Sequence, residues 1–168
     1  YPEDELPAIV DLMAVTNDEP LGDLEVEAFR FTADQLRQQE AYMTARGDTR
    51  WTLYVRETAT GVLAGFTEVM WHPERPALLN QGHTAVWPEY RGRGLGRWLK
   101  AAMLDKVLCE RPTVRYVRTG NADSNVPMLK INHELGFRPY QADSMWQVPV
   151  TTVQAYLASR ESAGVSGP

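Results

Sequence analysis

The chain has a single cysteine, Cys109, so no disulfide can close within it, and the clustered cysteines of structural zinc sites are missing. A reducing, cytoplasmic setting is therefore expected. No apolar run approaches the ~18 residues of a membrane span and no signal-peptide pattern opens the sequence, so no membrane partner is expected. Basic residues are in deficit, with 17 Lys and Arg against 22 Asp and Glu and a net charge of −5. Neutralising a phosphate backbone takes clustered cations, so nucleic acid is not expected as the main partner, although a local basic patch can hold a small polyanion. The composition is otherwise that of an ordinary globular domain, 43% hydrophobic and 23% charged over 168 residues. A chain of this length buries roughly 70% of its unfolded surface, enough for a core without metals or staples.

Hydrophobic spacing and punctuation divide the chain into elements. Leu6, Ile9, Val10, Leu12 and Met13 recur at helical spacing, with Pro7 in a first turn that tolerates it. Residues 17–23 read as a loop, and Thr32-Ala33-Asp34-Gln35 has the capping-box pattern of a helix running to Arg46, with Gly47 at its end. Trp51–Glu57 and Val62–Trp71 read as an antiparallel strand pair, and Leu78–Val86 as a third strand that ends at Trp87-Pro88. Leu95–Glu110 is strongly helical, with Leu95, Trp98, Leu99, Ala102, Met103 and Val107 in one apolar stripe. Val114–Thr119 is a short strand, Ser124–Leu135 a helix closed by Gly136, Phe137–Val150 a return to strand character, and Thr151–Arg160 a last helix. No repeat or linker divides the chain: residues 1–160 are expected to form one α/β (α+β) domain and 161–168 a flexible tail.

The most informative segment is Thr84-Ala85-Val86-Trp87-Pro88-Glu89-Tyr90-Arg91-Gly92-Arg93-Gly94-Leu95-Gly96-Arg97, in which a strand ends, a glycine-rich turn follows and a helix begins. Glycines let the backbone approach a ligand, and the first amides of a helix are unpaired at the positive end of its dipole. Arg91, Arg93, Arg97 and Lys100 fall together in residues 91–100 and favour phosphate as the guest. The Gly-x-Gly-x-Gly spacing of Gly92, Gly94 and Gly96 is not the dinucleotide fingerprint, and the turn lacks the Lys-Ser/Thr of a P-loop. A plain loop flanked by solvated arginines stays open on these residues alone. Cys109 has no partner to lower its pKa and reads as inert packing.

Arg91-Gly92-Arg93-Gly94-Leu95-Gly96 resembles the Arg/Gln-x-x-Gly-x-Gly/Ala signature of the GNAT acyltransferases, the general-control-related N-acetyltransferase superfamily. Downstream, Asn125-x-x-Met128 followed by Leu135-Gly136-Phe137 is similar to that family's second signature, in the correct order. The fuller pattern from Thr119 through Asn121, Asn125, Met128 and Asn132 to Phe137 looks most like actinobacterial members with two such domains in tandem. No strand candidate precedes the first helix and no initiator Met is present, which suggests the C-terminal half of such a protein. The resemblance implies the GNAT fold: a mixed, mostly antiparallel sheet flanked by four to five helices, with strands splayed to admit acyl-CoA. It implies acetyl-CoA (coenzyme A) as cofactor, a small-molecule amine as acceptor, and a second GNAT domain or a homodimer mate as possible partner.

By the same resemblance, the backbone around Ala85 and Val86 pairs with the pantetheine arm and the amide near Val86 polarises the thioester. Arg91, Gly92, Arg93, Gly94, Leu95, Gly96 and Arg97 hold the pyrophosphate, and Asn125 belongs to the second signature. A base must take the amine's proton, and the strand candidates are Glu68 and His83, each with a purely structural alternative. Asn121 either faces the acceptor or caps the next turn. Asn132 stands where the family commonly has a tyrosine that protonates the departing thiolate; asparagine can donate a hydrogen bond there but cannot give up a proton. That departure keeps open a catalytically degenerate module that binds coenzyme A or a partner domain.

Overall fold

The computed structural model describes residues 1–20 and 24–162. Two compact units divide the chain, residues 1–137 and 138–168. In the first, the order is α1 (Leu6–Met13), a 3-10 turn (Ala14–Asp18), α2 (Ala33–Ala45), β1 (Thr49–Arg56), β2 (Leu63–Trp71), β3 (Leu78–Val86), a short 3-10 turn (Pro88–Tyr90), α3 (Leu95–Glu110), β4 (Tyr116–Arg118) and α4 (Val126–Glu134). The second unit contains α5 (Val150–Ser162). The first described element is thus a helix, and the sheet runs β1-β2-β3-β4, antiparallel through β3 and parallel between β3 and β4. Among the described residues this is a mixed, mostly antiparallel sheet with five α-helices, in line with the four to five expected.

Local chemistry explains the boundaries. Thr32 caps α2 with its side chain on the Gln35 amide while the Gln35 side chain accepts from the Thr32 amide, a reciprocal pairing that satisfies two otherwise unpaired donors. Gly47 and Gly136 follow α2 and α4 at φ +77° and +86°, a backbone region that other residues enter at a cost. As one of two interior strands, β2 is buried without a break from Leu63 to Val69, because both of its faces are covered. Leu6, Ile9, Leu12, Leu36, Phe66 and Ala85 make one core layer, and Val69, Leu79, Met103 and Val107 make another against α3.

Three expectations need correction. Residues 137–149 form no strand; Pro139 and Pro149 remove ladder donors at both ends, and a strand exists only where a neighbour completes its hydrogen bonds. On α3, Trp98 is 59% exposed while Lys100 is 1% exposed. The buried seam therefore runs through Leu99, Lys100, Met103 and Val107 rather than through Trp98. Cys109 is exposed rather than packed. The loop expected at residues 17–23 begins inside the 3-10 turn, while Leu21, Gly22 and Asp23 lie outside the described residues. Of the expected tail, Glu161 and Ser162 belong to α5 and residues 163–168 lie outside the described residues.

Candidate functional site

Strands β3 and β4 pair only through Leu78–Asn80 and Tyr116–Arg118. Beyond Asn80, β3 continues for six residues without a strand partner on that edge among the described residues. Its register also shifts: Thr67 faces Thr84 but Val69 faces Gln81, so three steps of β3 oppose two of β2. The extra residue is a bulge, which bends a strand and re-aims its side chains. The result is a cavity of about 180 Å³ bounded by Gln81, His83 and Thr84 of β3, Lys100 of α3, and Asn121 and Met128 beyond β4. Its buried polar wall is tied by the Thr67–Thr84 hydroxyl pair at 2.7 Å and by Gln81 Nε2 donating to Thr67 Oγ1 at 2.9 Å and to the Glu68 carbonyl at 2.7 Å. Gln81 Oε1 is left buried with no donor. An orphaned acceptor costs roughly 1–3 kcal/mol, so this wall suits a ligand that carries amide or hydroxyl donors.

The open edge of β3 leads to the glycine-rich turn. The Trp87 amide donates to the Ala64 carbonyl, and Gly65 stands opposite Val86. Alternation along an antiparallel strand therefore turns the main-chain groups of Ala85 toward β2 and those of Val86 toward the cleft. The Val86 carbonyl accepts from Arg91 Nε at 2.9 Å, and Arg91 Nη2 also reaches Asp18 at 2.9 Å. Gly92 and Gly94 adopt φ +75° and +79°, and space for a ligand lies beside both. Gly94 is the N-cap of α3 with no side chain capping it, so the first amides of a 16-residue helix point outward at its positive end. Gly96 sits 3.5 Å, at its absent Cβ, from Ile131 Cδ1, which lets α3 close against α4. Arg93 lies over the Tyr90 ring and Arg97 bonds Glu134 at 3.1 Å. Exposed pairs of this kind contribute about 0–1 kcal/mol each, so a phosphate can displace them at little cost.

The candidate bases are near one another. His83 Nδ1 bonds Glu19 Oε1 at 3.2 Å, which raises the imidazole pKa against the opposing effect of burial, and the Glu68 charge raises it further. Glu68, 8% exposed, packs its carboxyl over Gly82, whose backbone lines the cavity. Asn121 reaches the cavity and accepts at 2.6 Å from Asn132 Nδ2, while Asn132 Oδ1 accepts at 2.6 Å from Lys100 Nζ. Burial alone lowers the Lys100 pKa to about 8. Asn125 caps α4 through the Met128 amide at 3.3 Å and also lines the cavity.

The structure thus gathers His83, Val86, Asn121, Asn125 and Asn132 at or beside the cleft, and places Arg91–Arg97 at its end. Sequence reasoning missed Glu19 and Gln81, and it grouped Lys100 with the cations of the phosphate turn, whereas Lys100 is buried and lines the cavity. Lys100 was legible in part, since Lys100, Met103 and Val107 have the i, i+3, i+7 spacing of a helix face. Glu19 carries no local signal, because it meets His83 across sixty-four positions.

No protein-family model matches the chain, and no curated protein matches it. Solved structures do. A tandem GNAT protein from the clavulanic acid biosynthesis pathway is similar at 35% identity and a TM-score of 0.69 over 83% of this chain. The chain spans 40% of the length of that protein. The spermidine N-acetyltransferase of Vibrio cholerae, solved with CoA and spermine, matches at 17% identity and a TM-score of 0.62 over 84% of this chain and 79% of its own. The protein yncA of Salmonella typhimurium, solved with acetyl-CoA, matches at 18% identity and a TM-score of 0.60 over 82% and 76%.

Proposed function

The chain has the GNAT fold, and from that premise we propose that it is an acetyl-CoA-dependent N-acyltransferase that acts on the primary amine of a small molecule, with both substrates bound together. The observation that carries this reading is the gap between β3 and β4 leading directly onto the Gly92–Gly94 turn at the start of α3. Acetyl-CoA and CoA occupy two of the similar structures, and the residues of this chain suit that ligand. The outward amides from Gly94 to Arg97 and the displaceable arginines would hold its pyrophosphate. Gln81 Oε1 offers its amide-bearing arm a buried acceptor. Bound there, the acetyl thioester supplies a carbonyl carbon activated for attack by an amine.

The protein's own groups then have distinct tasks. Val86, its N–H turned to the cleft, favours the negative charge that develops on the carbonyl oxygen. His83 takes the amine's proton: with Nδ1–H donating to Glu19, the Nε2 lone pair is left to accept it. Glu68 and Glu19 stabilise the resulting imidazolium. Holding both reactants in one cleft supplies much of the remaining acceleration. The whole protein is read as carrying a second GNAT domain, on its likeness to the tandem protein.

Acetyl-CoA should raise the thermal midpoint of the protein, and Arg93→Glu or Gly94→Trp should weaken its affinity at least tenfold by calorimetry. Unchanged affinity in both variants sinks the turn as the phosphate site. Thiol release should follow with some member of an amine panel that includes spermine. Asn132, engaged between two polar side chains, supports one second reading, a module that binds coenzyme A without turnover; binding with no thiol release across the panel favours it.

A further inference from the structure

We infer that Lys100 supplies the positive charge that meets the thiolate as it leaves when the acyl group is transferred. The inference rests on the acyl-CoA reading above. An ammonium that is 1% exposed is expensive unless something compensates it. Among the described residues no carboxylate lies within ion-pair distance of Lys100. Its partners are neutral: Asn132 Oδ1 at 2.6 Å and the Phe137 ring, whose centroid is 5.2 Å from Nζ. One carbonyl dipole and one ring face orient the ammonium without neutralising it.

The groups around it explain why the charge is unanswered. His83 and Glu19 bond each other across the cavity mouth, and Arg97 of α3 bonds Glu134 of α4. Lys130 and His133 on α4 and Arg118 on β4 are exposed. Among the described residues, no ion pair reaches Lys100. A thiolate formed in the cavity would be the missing counter-charge, present only as the C–S bond breaks, which is the condition for lowering a barrier rather than tightening the ground state. Asn132 sets the direction: its Oδ1 takes one Nζ–H while its Nδ2 is committed to Asn121.

The step balances. As the amine nitrogen forms its bond to the carbonyl carbon and the C–S bond breaks, the electron pair of that bond goes to sulfur. Lys100 keeps its proton and donates an Nζ–H hydrogen bond to that sulfur, so the thiolate leaves paired with the ammonium and takes its own proton from solvent. Burial lowers the ammonium only to about 8, so near neutral pH Lys100 still carries the charge that the leaving sulfur needs.

The test reads the thiol of bound coenzyme A directly, by the ultraviolet absorbance of its thiolate against desulfo-CoA as the blank, from pH 6 to 10. In the wild type the bound thiol should titrate at least one unit below free CoA, a tenfold rise in its acid constant. In Lys100→Met that shift should vanish, and the neutral side chain removes a buried charge, so the variant should fold. A bound thiol in the wild type that titrates at or above the free value overturns the inference with no variant needed, as does an equal shift in Lys100→Met. CoA that fails to bind the wild type at all overturns the acyl-CoA reading and this inference together, whereas binding with an unshifted thiol overturns this inference alone.

Discussion

At the scale of single residues, His83 is governed by a contact that spacing cannot reveal. Its raised pKa comes first from the hydrogen bond of Glu19, and burial opposes it. Glu19→Gln should therefore drop the imidazole pKa toward or below 6.5, followed by NMR titration of the ring protons. The sign for stability follows from linkage: a group whose pKa is raised on folding contributes stability that is fully present below its unfolded pKa and is lost as pH climbs through the folded one. Glu19→Gln should thus cost more stability at pH 6 than at pH 9, and equal losses at both would remove the ion pair from the account. Histidine was legible as a candidate because only its ordinary pKa lies near neutrality; its tuning was not, because it depends on a carboxylate from a distant turn. Lys100 shows the reverse case, a side chain visible near Arg97 in the sequence, which the packing buries against Asn132 while Arg97 reaches out to Glu134.

Among elements, the legible ones carry their signals locally. The capping box of Thr32, the glycine after α2 and the apolar spacing of α3 sit within a few residues of the structure they specify, so those boundaries match the expectation closely. Strand character at 137–149 had no such self-sufficiency, since a strand depends on a neighbour for every ladder bond. Asn125 combines both situations: it is the α4 cap and part of the cavity wall. Asn125→Ala should lose about 1 kcal/mol of stability in urea unfolding, while Asn125→Asp keeps the accepting oxygen and most of that stability. Should the two variants unfold alike, the capping bond is not what Asn125 contributes.

For the whole molecule, a net charge of −5 disguises a local concentration of cations at residues 91–97. That arrangement ties affinity for a polyanion to ionic strength. Raising salt from about 0.1 M to about 1 M shortens the screening length from about 10 Å to about 3 Å. Binding of coenzyme A should weaken several-fold over that range by calorimetry, and a salt-independent affinity would mean that the arginines do not meet the phosphates. The amino-acid sequence by itself determined the elements from α1 to α4, the phosphate-favouring turn and the family resemblance, because helix caps, glycine turns and apolar periods act through neighbours along the chain. Only the tertiary structure decided that β3 bulges against β2 and pairs with β4 no further than Asn80, that Glu19 answers His83, and that Lys100 stands buried with no ion pair among the described residues. Each of those is a meeting of distant segments in a water-poor interior, where the cost of an unpaired charge or acceptor is set by what the fold brings against it.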